Sequence, residues 1–255
     1  MNPEDLAQPA EAPADLVSAF ERHSARAWPA PDVIDLHGWE LRLTPGSRSR
    51  RVNSLNAIRP EPGRFDAVLD AARRICAERG APCVVRLTPL TPPEALRRLA
   101  GEGREAAGET LVLHAPIADV HPSPGGEVSA QLTPGWLAGM AASGADAAER
   151  ALIARLLAAV PIQQGFGVAL DDGRALAFGR IAVEDGIAGV FHVATAPEAR
   201  RRGLARRLMA GLLAWARERG AETVYLQVVA ENHPAIALYR ACGFREAYRY
   251  AYLTA

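Results

Sequence analysis

The chain has 255 residues, about half of them apolar, with 29 basic side chains against 29 acidic ones. At about 150 residues per domain, that length fits one large or two small folded bodies, each able to bury a core of ordinary size. A formal charge of zero excludes broad electrostatic binding to DNA, RNA or an acidic membrane, because those partners need a basic face.

Residues 1–13 are rich in Pro, Ala and Glu and are expected to be a poorly ordered tail. The start Met1-Asn2-Pro3-Glu4-Asp5 lacks the basic-then-apolar order of a secretory signal. No apolar run reaches the roughly 18 residues of a membrane span, so a cytoplasmic location is expected. Cys76, Cys83 and Cys242 are odd in number and without CxxC spacing, which predicts free thiols.

A short helix is predicted over 15–27. Alternating residues predict strands over 38–44 and 51–58. Phe65 to Arg79 places Phe65, Val68, Leu69, Ala72 and Cys76 on one helical face, and Gly80 ends it. A strand over 83–87, a helix over 93–100 and a strand over 110–115 follow. His121-Pro122-Ser123-Pro124-Gly125-Gly126 has the residues that punctuate elements and nothing to bury. This places a linker at 121–127 between a first domain, 14–120, and a second, 128–255.

The second domain is predicted to open with helices over 136–142 and 146–160. Strands over 165–170, 175–183 and 187–195 are separated by Asp171-Asp172-Gly173 and Glu184-Asp185-Gly186, each ending in the Asp-Gly of tight hairpins. A helix over 202–219 carries Leu204, Leu208, Leu212 and Trp215 on one face. A strand over 223–229, a helix over 233–241 and a strand over 249–253 complete the series. The halves repeat. Glu78-Arg79-Gly80-Ala81 returns as Glu218-Arg219-Gly220-Ala221, a strand follows each, Pro93 and Pro234 each open a helix, and Arg104-Glu105-Ala106 returns as Arg245-Glu246-Ala247. Ordered matches at almost constant spacing indicate two copies of one fold.

The most informative segment runs from Val193 to Ala205. A strand ends in a turn, and the turn opens a helix. The first helical turn has N–H groups with no internal acceptor and a partial positive charge, so an anion is its complement. Gly203 lets a ligand approach the backbone closely. Arg200, Arg201, Arg202, Arg206 and Arg207 crowd the same point. Cations oppose the dipole there, so the cluster makes physical sense around a polyanion, the alternative being a solvated basic surface.

Arg200-x-x-Gly203-x-Ala205 after this strand resembles the signature of the GNAT superfamily of N-acetyltransferases. A second segment, Asn232 to Phe244 with Ala235, Leu238-Tyr239 and Gly243-Phe244, is similar to the superfamily's Asn-x-x-Ala-x-x-Leu-Tyr-x-x-x-Gly-Phe. The resemblance is good over 187–250. It implies an α/β (α+β) chain of two GNAT-like domains, each a mixed, mostly antiparallel sheet flanked by helices. It implies acetyl-coenzyme A as cosubstrate and a small-molecule amine or peptide N-terminus as acceptor; His114 and His121 lack partners at metal-ligand spacing, so no metal is expected.

The pyrophosphate would meet the main chain from Arg200 through Arg201, Arg202, Gly203, Leu204 and Ala205 to Arg206. The pantetheine arm would lie along Val193, Ala194 and Thr195, where this strand splays from the strand over 223–229. Tyr239 aligns with the residue that protonates the leaving sulfur, and its phenol is protonated at neutral pH. Asn232 aligns with a pantetheine contact, although a helix cap ahead of Pro234 is an equal reading. The general base is open. His192 titrates in the right range, Glu184 lies upstream, and a water chain or backbone carbonyl could also relay the proton.

In the first copy the corresponding loop is Arg59-Pro60-Glu61-Pro62-Gly63-Arg64. Pro60 and Pro62 lack amide hydrogens and Glu61 adds a like charge. Arg98 stands where Tyr239 does, and Thr91 where Asn232 does. A degenerate copy is expected. Arg48, Arg50 and Arg51 could contact an anion, though a solvated loop is the simpler reading, and Trp28 and Trp39 read as core or interface residues. The rival to an enzyme is a non-catalytic acyl-coenzyme A sensor or partner-binding protein on the same fold.

Overall fold

The computed structural model describes residues 12–120 and 125–255. Most of the expected tail and residues 121–124 of the expected linker lie outside that set. Ala12 is ordered: it is buried and its N–H donates to the Ala247 carbonyl at 3.1 Å. No helix among the described residues is long and apolar enough to cross a membrane.

The chain forms two compact units that interleave in sequence. Unit 1 comprises residues 1–112, 228–232 and 246–255; unit 2 comprises 113–227 and 233–245. This division differs from contiguous domains meeting at 121–127, because the chain passes between units within two strands, 107–116 and 223–229.

Unit 1 begins with helix α1 (Ala14–Ala27). A hairpin of β1 (Asp32–Leu36) and β2 (Trp39–Leu43) follows. The sequence reading missed β1, whose turn is His37-Gly38 with φ of 53° and 79°; a histidine is an unusual donor of that left-handed position. Next come a 3-10 turn at Arg50–Val52, the last two residues of which were expected to be strand, and β3 (Ser54–Ala57). Helix α2 (Phe65–Glu78), β4 (Val84–Leu87), helix α3 (Pro93–Ala100) and β5 (Ala107–Pro116) complete the series. β2 and β3 are antiparallel and β3 and β4 parallel. The core gathers Leu41, Leu55, Leu69, Val85, Leu87 and Leu99 beneath Trp39 and Phe65, whose rings lie 5.0 Å apart.

Unit 2 contains β6 (Glu127–Ser129), α4 (Pro134–Ala142), α5 (Ala147–Ala158), β7 (Gln163–Asp171), β8 (Arg174–Glu184) and β9 (Ile187–Thr195). It continues with α6 (Leu204–Arg217), β10 (Thr223–Val229), α7 (His233–Ala241) and β11 (Arg245–Thr254), the last of which returns to unit 1. Thr133 and Asp146 cap α4 and α5 by accepting the N–H groups of Trp136 and Glu149 at 3.2 and 2.8 Å. Both Asp-Gly hairpins form as expected, with Asp172, Gly173, Asp185 and Gly186 all at positive φ.

β6, β7, β8 and β9 are antiparallel in that order, and β10 joins β9 parallel. Helix α6 lies close on this sheet because Gly165 and Gly167 leave room: a Cβ on either would stand within 3 Å of Trp215 or of Leu212 and Leu208. On α4, Trp136 is fully buried. Its indole N–H donates to the Gly179 carbonyl at 2.7 Å, and Phe166 and Phe178 meet its ring edge-on.

In each half a strand, a helix, a parallel strand, a helix and a last strand follow in order: β3-α2-β4-α3-β5 and β9-α6-β10-α7-β11. β11 pairs antiparallel with β4 from Ala251–Leu87 to Thr254–Val84, so Ala251 and Leu253 belong to the core of unit 1. The sequence placed this strand in the second domain.

Candidate active site

The site of unit 2 is built where β9 ends and α6 begins. β9 pairs with β10 only from Ile187–Thr223 to Val190–Leu226. On its other side β9 continues against β8 as far as Thr195–Ala177. Phe191 to Thr195 therefore has a strand neighbour on one side alone among the described residues. The β10 side of β9 beyond Val190 is where an extended ligand could lie alongside the strand. Val193, Ala194 and Thr195 lie in this stretch.

The β8–β9 register shifts between Phe178 and Arg180, which oppose Ala194 and Phe191. β9 thus carries one extra residue, a β-bulge, and His192 within it has φ 55°. A non-glycine residue at positive φ is uncommon and strained, and bulges collect where a strand must re-aim a side chain. The half-buried His192 ring stands edge-on to Trp136 at 5.9 Å. Sequence patterning has no signal for this bulge.

After β9, Ala196 N–H donates to the Leu176 carbonyl at 2.8 Å and Pro197–Ala199 forms a 3-10 turn. Arg201 at φ 61° and Gly203 at φ 77° turn the chain into α6. No side chain caps this helix, and its first internal bond is Arg207 N–H to the Gly203 carbonyl at 3.1 Å. Among the described residues no acceptor meets the backbone N–H groups of Arg201, Arg202, Gly203, Leu204, Ala205 or Arg206. A Cβ built on Gly203 would meet nothing within 4 Å, so the space over the turn is open. Six N–H groups at the positive end of a helix dipole form an anion cradle. The arginine cluster surrounds it. Arg202 is tied to Asp171, and the Arg207 guanidinium reaches the Leu170 carbonyl at 3.3 Å.

Tyr239, on α7, is 7% exposed and packs against Phe244 at 6.2 Å. Burial, with Cys242 nearby, pushes its phenol up to about 12. Burial also raises the Cys242 thiol, while Arg206 on α6 pulls it the other way. Asn232 falls in unit 1, in the turn before α7, with its N–H on the Val229 carbonyl at 3.0 Å.

The matching loop of unit 1 differs in a way the sequence did not reveal. The Gly63 N–H at the start of α2 donates to the Glu94 carboxylate at 2.9 Å. A side chain of the same unit occupies the place an anion would take. Arg98, in the position aligned with Tyr239, bonds Asp66 at 2.8 Å and Glu102 at 2.6 Å. Cys76 and Cys83 are free and buried, and Cys242 is free and half-buried. No group of three or more His, Cys, Asp or Glu able to hold a metal occurs among the described residues.

The fold is the one shared by solved GCN5-related N-acetyltransferases. The GCN5-related N-acetyltransferase from Kribbella flavida superimposes over 96% of both chains with a TM-score of 0.70 at 19% identity. A tandem GNAT protein from the clavulanic acid biosynthesis pathway covers all of this chain and 92% of its own, with a TM-score of 0.67 at 16% identity. Within the chain, residues 142–244 match the acetyltransferase (GNAT) family. Local sequence similarity reaches 42% over 76 residues with the ribosomal protein bS18-alanine N-acetyltransferase of Salmonella typhimurium and with the mycothiol acetyltransferase of Clavibacter sepedonicus. It is 38% over 68 residues with the uncharacterized N-acetyltransferase YobR of Bacillus subtilis. Each match spans 27 to 30% of this chain and between 25 and 51% of the relative.

Proposed function

We propose that unit 2 transfers an acetyl group from acetyl-coenzyme A to a primary amine. The observation that carries this reading is the row of six unaccepted N–H groups from Arg201 to Arg206, open to a pyrophosphate. The stretch Phe191–Thr195, beyond the end of the β9–β10 pairing, supports a pantetheine arm lying along β9. The local similarity to proteins named as N-acetyltransferases supports the acyl group and the amine acceptor. The acceptor class is a small-molecule amine or a peptide N-terminus.

In the step itself the neutral amine nitrogen attacks the thioester carbonyl carbon. The N–C bond forms, the C–S bond breaks, the amine loses a proton and the departing thiolate gains a hydrogen-bond donor. Tyr239 is assigned that donor role. With its phenol pushed up to about 12, it is protonated at every working pH, and it stabilises developing charge on sulfur most effectively by hydrogen bonding. His192, presented by the bulge on β9, is assigned the amine proton. Asn232 is assigned a pantetheine contact. Unit 1 is assigned no coenzyme, because Glu94 fills the Gly63 position and Arg98 replaces the phenol.

The test is acetyl transfer across a panel of small amines and peptide N-termini, followed by thiol release and product mass. Amine-dependent thiol release with a product 42 Da heavier is expected, the mass an acetyl group adds (on the order of 42 Da). Coenzyme A binding with thiol release at background for every amine would favour the non-catalytic sensor. No coenzyme binding at all would overturn the reading.

A further inference from the structure

Unit 1 carries a small concavity, open to solvent and lined by α1, by β2, β3 and β4 and by Arg51 of the 3-10 turn. Three guanidiniums, Arg42, Arg51 and Arg86, face a single carboxylate among its lining residues, Glu21. That carboxylate is already engaged. Both its oxygens accept from Arg86, and one also accepts from the Tyr248 hydroxyl at 2.5 Å. Arg42 donates only to neutral acceptors, the carbonyls of Ala25 at 3.1 Å and Trp28 at 2.5 Å. Two positive charges are therefore left without a counter-charge among the lining residues.

Arg42 is 5% exposed and Arg86 4%, and the Nε–H of each is buried with no acceptor among the described residues. Buried polar hydrogens are nearly always bonded, and one on a charged group is costly to leave open. The local potential shows in neighbouring groups. Burial pulls Arg42 below its ordinary value and Arg86 adds to that, against a partial opposing pull from Glu40, which lies outside the lining, and from the already engaged Glu21. Tyr250 lies under the Arg86 guanidinium, 3.9 Å from Cζ to ring centre. Burial alone would raise its phenol, but Arg51 and Arg86 pull it down.

We propose that this concavity binds the carboxylate of a small molecule, with Arg42 and Arg51 as its counter-charges. The guanidinium fork matches a planar carboxylate, as the Arg86–Glu21 pair beside it already does. The enclosed part of the cavity is about one water in size, which admits the flat end of a carboxylate better than a tetrahedral phosphate. The site lies within unit 1 and does not depend on acetyl transfer by unit 2.

The test is thermal unfolding of the full chain in sodium acetate, sodium phosphate and sodium chloride at equal ionic strength. Acetate in severalfold excess over its Kd is expected to raise the midpoint about 2–4 °C above chloride. Arg51→Gln is expected to remove that difference. Ala25→Asp, which sets a carboxylate at the cavity wall, is expected to raise the midpoint without ligand and to abolish the response to acetate. Equal midpoints of the wild-type chain in acetate and chloride would overturn the proposal. So would a full acetate response surviving in Arg51→Gln, which would place the anion elsewhere. A response to phosphate and none to acetate would overturn the carboxylate assignment.

Discussion

Replacing Gly203 with alanine separates the cradle from the fold that presents it. Gly203 sits at φ 77° and an added methyl meets no atom within 4 Å, so the free protein bears only the strain of a left-handed alanine. That is about 1–2 kcal/mol, or a drop of about 2–8 °C in midpoint for a chain of this size. Coenzyme binding is expected to suffer more. The methyl enters the open space where the anion approaches, and loss of one or two charge-assisted hydrogen bonds, about 1.5–3 kcal/mol, weakens binding about 10- to 150-fold. Gly220 supplies the control. It lies at the far end of the same helix at φ 76°, and its added methyl also meets nothing within 4 Å. Gly220→Ala should lose comparable stability and no affinity. Titration calorimetry with coenzyme A, run well below both midpoints, reads the difference. Equal affinities for the two variants would refute the reasoning, because the loop amides would then have no special relation to the ligand.

Tyr239→Phe is expected to lower kcat by about 10²- to 10⁴-fold with coenzyme affinity unchanged; steady-state kinetics beside calorimetry tests both halves. An ordinary tyrosine ionises near pH 10, but with the phenol pushed up to about 12 the alkaline decline of kcat assigned to Tyr239 should begin only towards pH 12, and a pH–rate profile that breaks near 10 would contradict the assignment. The same shift makes the neutral phenol's contribution to stability complete below about pH 10 and lost as pH climbs towards 12, which denaturant midpoints across that range measure. A chain ending at Arg245 lacks β11, and with it the antiparallel partner of β4 and the buried Ala251 and Leu253. Burying leucine alone is worth about 2–5 kcal/mol in a total of about 5–15, so circular dichroism on heating should show no cooperative transition for unit 1.

Much of the fold was legible because local chemistry and global structure agree. Phe65 to Cys76 falls on one buried face of α2 as its periodicity required, and the Asp-Gly pairs at 172–173 and 185–186 set their hairpins without tertiary help. β1 and β6 were missed because each is a short, half-exposed strand with a weak pattern. Arg51 and Val52 read as the start of a strand from their alternation, yet they belong to a 3-10 turn, with Asn53 bonding the carbonyls of Ser47 and Ser49 and accepting the Thr44 N–H. The strand, turn and helix start around Gly203 could be read because each is set by local residues. The bulge at His192, the Glu94 plug and the Glu21–Arg86 pair could not, since each depends on residues brought together from distant parts of the chain. Position on a strand is likewise legible where partnership is not: Tyr250 and Leu253 signal β11 well, but nothing in them says that β4 is its neighbour.

That partnership has a bearing on synthesis. A nascent chain that has emerged as far as the middle of β5 has every helix of unit 1 and four of its strands, yet β4 still lacks the neighbour it will finally bond. More than a hundred further residues must be translated first. During that interval the apolar groups destined to pack against Ala251 and Leu253 stay uncovered, a window in which nascent chains are prone to aggregate and to recruit chaperones. The order of events on the ribosome is thereby reversed from the usual expectation: the half made first is the half finished last.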